Sequence, residues 1–181
     1  MAIPSAIFHY YDAAQGPNRS LTHLPLAEAE GLLEKIRLSG VGFAAQRPLD
    51  YLKIRLELEE IIRTKFIQKG GKPRLLHPYY FILGACEWVK QWYHQGSEIQ
   101  YPLSTIPTEA ISFTYGDSFP AMRYQDGKPY RGQVYTLPEI AEIISEFGLP
   151  QNWNPQGKLG PERYIEAQVW VDLAELINAP V

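Results

Sequence analysis

The sequence predicts an α+β domain whose core is a strongly bent, mainly antiparallel pair of sheets with helices packed on it. Three observations point there. Helical periodicity dominates residues 25–69, aromatic and β-branched runs cluster after residue 79, and tight turns at Gly116-Asp117-Ser118 and Asp126-Gly127 join successive runs. A doubly wound parallel sheet would alternate strands and helices along the whole chain. At 181 residues, 45% hydrophobic and 20% charged, the chain is read as a single globular domain, residues 1–181, with enough apolar mass for a substantial core.

The elements follow in order. Residues 7–11 (IFHYY) read as a strand that breaks at Asp12 and the Gly16-Pro17 turn. Over 25–38, Leu26, Ala29, Leu32, Leu33 and Ile36 recur at helical spacing, with Pro25 at the start and Gly40 just past the end. A longer helix is expected from 49 to 69, stopping at Gly70-Gly71, and its pairs Arg55/Glu59 and Glu59/Arg63 read as an exposed face. Residues 79–83 look like a buried strand and 87–94 like a short aromatic helix before Gly96. Strands are expected at 99–103, 110–115, 119–124 and 133–135. Thr136 and Glu139 have capping-box spacing for a helix ending at Gly148. A Pro/Gly/Asn loop over 151–161 then leads to a last strand, 162–172, and a short terminal helix.

Composition removes several functions. A net charge of −3 without a long like-charge run argues against a nucleic-acid partner, and Arg63, Lys65, Lys69, Lys72 and Arg74 read as a solvated helix end. The single cysteine, Cys86, excludes an internal disulfide and reads as a small buried side chain. No signal-peptide pattern is evident, and the apolar run 79–86 is far short of the roughly 20 residues a bilayer needs, so a soluble cytoplasmic protein without a membrane partner is expected. GVGFAA at 40–45 has dinucleotide-loop spacing but follows a helix rather than a strand, so it reads as a helix stop. There is no phosphate loop and no nucleophile elbow, and His9, His23, His77 and His94 are never at metal-ligand spacing.

What remains is a set of polar residues far apart in sequence. His9 sits in the first strand, Tyr115 ends a middle strand beside Asp117, and Glu166 lies in the last strand. Alternation there puts Tyr164, Glu166, Gln168 and Trp170 on one face, with Glu162 sharing their parity. Each also has an ordinary reading: Glu166 as an edge-strand surface charge, His9 as a satisfied histidine, Tyr115 as packing, Asp117 as a turn former. If the chain doubles back at Gly116, Asp117 faces Arg131 on the returning strand and the two charges pair across a hairpin beside a ligand cleft.

Taken whole, the chain resembles an uncharacterised bacterial family of similar length, on IFHYYD, SFTYGDSFPAMR, KPYRGQVYTLPEI and GPERYIEAQVW. That family implies no activity. IFHYY with its following helix, ISFTYGDSFPAMRY and IEAQVWVD are also similar to three segments of ADP-ribosyltransferases, in particular the DNA-modifying bacterial toxins. This resemblance implies an ADP-ribosyltransferase-like fold, NAD as cofactor, and either transfer to a macromolecular acceptor or NAD glycohydrolysis. It makes His9 a contact to the nicotinamide-side ribose, lets Tyr115, or Tyr10 or Tyr11, stack on the nicotinamide, and sets Glu166 against the ribose. Asp117 and Arg131 would frame the same nucleotide. Cleaving that bond builds positive charge on the sugar, which a carboxylate stabilises. The alternative is a non-enzymatic binding module whose aromatic cleft, with Trp88, Trp92, Tyr93 and Trp153, takes a nucleotide, peptide or partner protein.

Overall fold

The helices form where their end signals lie. In the computed structural model, which describes residues 2–177, the order is β1 (Ala6–Asp12), α1 (Leu26–Ser39), α2 (Tyr51–Gln68), β2 (Tyr79–Leu83), α3 (Glu87–Lys90) and β3 (Gly96–Pro102). Then come β4 (Ile111–Thr114), α4 (Ser118–Arg123), α5 (Leu137–Phe147), α6 (Pro150–Trp153), β5 (Glu166–Val169) and α7 (Leu173–Ile177). Helix α1 ends on Gly40 in the left-handed region, and the first turn of α5 is closed by Glu139, whose carboxylate accepts from the Thr136 amide at 2.8 Å.

The fold is α+β, built on a five-stranded antiparallel sheet in the order β3-β1-β2-β5-β4. Among the described residues this one sheet replaces the expected pair. The runs meant for a second sheet do something else. Residues 133–135 contribute a single bridge, Phe113 to Tyr135, and 119–123 belong to α4, with Tyr124 as its C-cap. Asp117 caps that helix by accepting from the Phe119 amide at 2.8 Å, and Pro120 falls in the first turn, where a missing N–H costs nothing. Cap chemistry outweighs the strand preference of Phe119 and Tyr124.

Register assigns each strand residue to a face. Phe8 lies across from Ile82, Ile82 from Glu166, and Glu166 from Thr114. One position along, Phe81, Ala167 and Phe113 share the opposite face and pack with Ile7, Leu83, Ile140 and Ile144 into the main core. The Glu166 face is covered by α2 and α4. Helix α2 turns Leu52, Arg55, Glu59, Ile62 and Phe66 inward, so Arg55 and Glu59 are buried, at 9% and 0% exposure, and do not form the expected exposed face. No helix among the described residues is long and apolar enough to cross a membrane.

Candidate active site

A buried polar centre occupies the sheet face under α2. On β5, Gln168 Nε2 donates to Glu166 Oε1 at 3.1 Å and to Thr114 Oγ1 at 3.2 Å, while its Oε1 accepts from Ser112 Oγ at 2.9 Å. The Trp170 indole donates to the same Ser112 hydroxyl at 2.9 Å. Helix α2 supplies Arg55, which donates to Ser118 Oγ at 2.8 Å and lies 4.5 Å from the ring centres of both Tyr80 and Phe119. Glu59, one turn on, accepts from Tyr80 Oη at 2.8 Å and Thr22 Oγ1 at 3.1 Å, and meets His77 Nδ1 at 2.6 Å.

Asp117 reaches the centre because of Gly116. With φ at 109°, a backbone open to glycine and strained for other residues, Gly116 turns β4 directly into α4. The Asp117 carboxylate then both caps α4 and accepts from Tyr164 Oη at 2.8 Å. Tyr164 in turn packs in one apolar cluster with Tyr10 and Val89, against the half-buried Trp88, Trp92 and Tyr93. The Phe43 ring stacks on Trp92 at 4.4 Å, and the Arg163 guanidinium sits 3.6 Å over Trp88.

The electrostatics of this centre are unusual for a core. Burial pushes the Glu166 carboxyl up to about 7, the nearby Asp117 charge adds to the rise, and Arg55 with hydrogen bonds from Ser118 and Gln168 opposes it. Burial also holds Tyr80 and Tyr164 well above the ordinary phenol range, so both stay protonated donors. Burial works against the Arg55 charge, but Tyr80, Tyr51, Glu166 and Asp117 outweigh it. Burying an ion costs several kcal/mol even when it is paired, so three such side chains under one helix are weak contributors to stability. That cost makes this centre the candidate site. Among the described residues, no group of three or more His, Cys, Asp or Glu is placed to hold a metal ion.

Of the residues singled out from sequence, Glu166 and Asp117 come together here. His9 does not join them. Its parity on β1 is that of Ile7, on the far face, where its ring lies 5.5 Å from Phe81. Its Nδ1 donates to the Tyr80 carbonyl at 3.0 Å and its Nε2 accepts from the Asn18 amide at 3.1 Å, so both nitrogens are used within the fold. Tyr115 is on the far face as well; its hydroxyl donates to the Gly148 carbonyl at 2.8 Å and accepts from Trp153 Nε1 at 3.2 Å. Tyr11 shares the parity of His9. Tyr10 is on the Glu166 face, but its hydroxyl is occupied by the Cys86 amide at 2.7 Å.

The expected Asp117–Arg131 pair is not made. After Asp117 the chain coils into α4 instead of returning as a strand, so no cross-hairpin position exists. Arg131 instead forms a fork with Asp126, at 2.9 and 2.8 Å, and an ion pair with the buried Glu162. The expected aromatic cleft also divides: Trp88, Trp92 and Tyr93 sit together, whereas Trp153 lies under α5 with Tyr115.

Arg55, Glu59, Tyr80, Ser118, Tyr164 and Gln168 were not picked out from sequence as a site. The signal that marks two of them is positional, since 55 and 59 fall on the inward stripe 52, 55, 59, 62, 66 of α2. A groove of about 730 Å³ between α1 and α2 meets this network at His77. It is open and mixes leucines with solvent-facing charges, so the chemistry is assigned to the buried centre. Comparison with known proteins finds no match to a family model, a curated protein or a solved structure.

Proposed function

We propose that the protein is an enzyme that breaks a glycosidic bond, with Glu166 as proton donor and Asp117 as the carboxylate facing the positive charge that develops on the sugar. The observation that carries this reading is a pair of carboxylates, Glu166 and Asp117, brought together in one polar centre under α2. Glu166 is held near half-protonation at neutral pH by burial and by the Asp117 charge, while Asp117 accepts two hydrogen bonds. Departure of an alkoxide or an uncharged nucleobase needs an acid, departure of a pyridinium ring such as nicotinamide needs none, and the oxocarbenium-like transition state of either needs a nearby anion. The half-buried rings beside Tyr164 supply a surface on which a flat leaving group stacks.

NAD is the first substrate to test for the Asp117 role, since its nicotinamide is flat and leaves its ribose as a neutral ring without protonation; a nucleoside, whose base must be protonated to leave, tests the Glu166 role as well. This reading keeps the expected glycohydrolase or ADP-ribosyl-transfer chemistry but moves its residues, with Asp117, Arg55 and Tyr164 beside Glu166 in place of His9 and Tyr115. Glu166 is only 5% exposed, so a substrate reaches it after the side chains around it move. Incubation with NAD should release nicotinamide, and incubation with a nucleoside should release its base at a rate that declines as pH rises above about 7 and Glu166 ionises. Glu166→Gln should lower that rate by roughly 10²–10⁴-fold, the usual weight of one general acid. Absence of turnover with NAD, simple nucleosides and aryl glycosides alike would overturn the reading. Quenching of tryptophan fluorescence by NAD without turnover would favour the binding-module alternative, which Trp88 and Trp92 support.

A further inference from the structure

We infer that the groove between α1 and α2 is the interface between two copies of this chain, with α2 of one copy lying antiparallel on α2 of the other. Three exposed large apolar side chains line this groove: Leu49 is 84% exposed, Leu76 69% and Leu26 57%. Soluble surfaces seldom keep such a patch in water unless something covers it. These leucines are also held in place. Arg37 donates to the carbonyls of Arg47, Pro48 and Leu49 at 2.8–3.3 Å, and Arg63 to those of Pro73 and Leu75 at 3.2–3.3 Å. Two arginine-tied loops therefore present Leu49 and Leu76 at the groove rather than folding them away.

Charge order selects a second copy as the occupant. Along the groove wall formed by α2 and the segment just before it, the lining runs Leu49, Lys53, Leu56, Glu57, Glu60 and Thr64, with the buried Leu52 and the loop-tied Arg63 completing it. One charge pair in this lining, Lys53 and Glu60, is self-complementary about the point between Leu56 and Glu57. A two-fold axis there sets Lys53 against Glu60 of the second copy, and the same contact repeats on the other side. Leu49 then falls at the Thr64 end of the second copy's groove, and the two Leu56 side chains meet near the axis. Among the described residues of its own chain, Lys53 pairs with Glu57 at 4.0 Å, with both side chains largely exposed, so the exchange of partners loses little. An unrelated partner would have no reason to match an internal symmetry of this chain.

The test is a charge swap on the full chain, read as molar mass by light scattering across a dilution series. Wild type should be a dimer. Lys53→Glu and Glu60→Lys should each shift it to monomer, because each sets like charges together twice. The double variant, Lys53→Glu with Glu60→Lys, should restore the dimer by rebuilding both pairs in reverse. Both positions are exposed on the helix, and circular dichroism checks that each variant folds. A wild type that stays monomeric at every concentration overturns the inference. So does a dimer indifferent to both reversals, or one that the double swap fails to restore.

Discussion

Strand β5 is buried on both sides, and its two sides carry opposite chemistry. Ala167 and Val169 face Phe81, Phe113, Ile140 and Ile144, a face made of hydrocarbon and aromatic rings. Glu166 and Gln168, each one residue away, face Thr114, Ser112, Ser118 and Arg55. The first face stabilises the fold, since apolar area removed from water contributes about 25 cal/mol per Å². The second is held at a cost, because every charge in it has lost its hydration. A sheet that is stabilised from one side can carry a costly site on the other. This division of labour is open to direct test.

The largest effect is expected from the apolar face. Phe113 is fully buried, and Phe113→Ala leaves a cavity in the main core, which should cost about 3–5 kcal/mol by urea denaturation. The loss should be the same at pH 5 and pH 8, since no charge is exposed or paired by the change. A cost under about 1 kcal/mol would mean that this face is not the main source of stability.

Arg55→Met comes next and separates the faces by pH. The apolar side chain keeps contact with Tyr80 and Phe119 but removes the guanidinium opposing Glu166 and Asp117. Leaving a buried charge without its partner costs about 3–5 kcal/mol. The cost should be greatest at pH 8, where Glu166 is ionised, and smaller at pH 5, where it is protonated. Equal destabilisation at both pH values would show that Arg55 is packing rather than counter-charge.

Glu166→Gln should show the opposite sign. The folded-state pKa of Glu166, about 7, lies above its ordinary value of 4.5, so between those values the folded protein holds a proton that the unfolded chain has released. Stability therefore falls as pH rises through that window and stays reduced above it. The span corresponds to roughly 2–4 kcal/mol, at 1.36 kcal/mol per pKa unit. Glutamine removes the ionisation, so the variant should lack this fall and equal or exceed wild type at pH 8. Parallel wild-type and variant stability curves from pH 4 to 8 would sink the assignment.

How much of this was legible before folding depends on how local each signal is. Pro25 with Gly40, Gly70-Gly71, and Thr136 with Glu139 act within a few residues, and they placed α1, α2 and α5 to within about two residues. Helix α4 was misread because Phe119 and Tyr124 favour strands on average, whereas the Asp117 cap and Pro120 decide the local outcome. In the site, alternation over 164–170 gathered Tyr164, Glu166 and Gln168 correctly on one face. Arg55 and Glu59 were hidden because opposite charges four apart usually signal a wet helix surface. His9 and Tyr115 could not be assigned a face from sequence at all. Their parity relative to Glu166 depends on which residue of β2 pairs with β1 and which of β4 pairs with β5, and those partners lie more than fifty residues away.

The smallest effect, and the one that tests the placement of His9, is His9→Leu. Leucine leaves the Tyr80 carbonyl and the Asn18 amide without their imidazole partner, which should cost about 1–2 kcal/mol. Burial lowers the His9 pKa below its usual 6.5, with the Tyr80 hydrogen bond acting the other way. The folded state therefore favours the neutral ring, and its contribution is complete above pH 6.5 and shrinks as pH falls toward the lowered folded value. The gap between wild type and variant should thus be widest near pH 8 and narrower near pH 5, opposite to a residue whose charge is needed. Because His9 lies across the sheet from Glu166, any turnover of NAD should survive the substitution once the protein is folded. A variant with wild-type stability but no turnover would return His9 to the site and break the separation of the two faces.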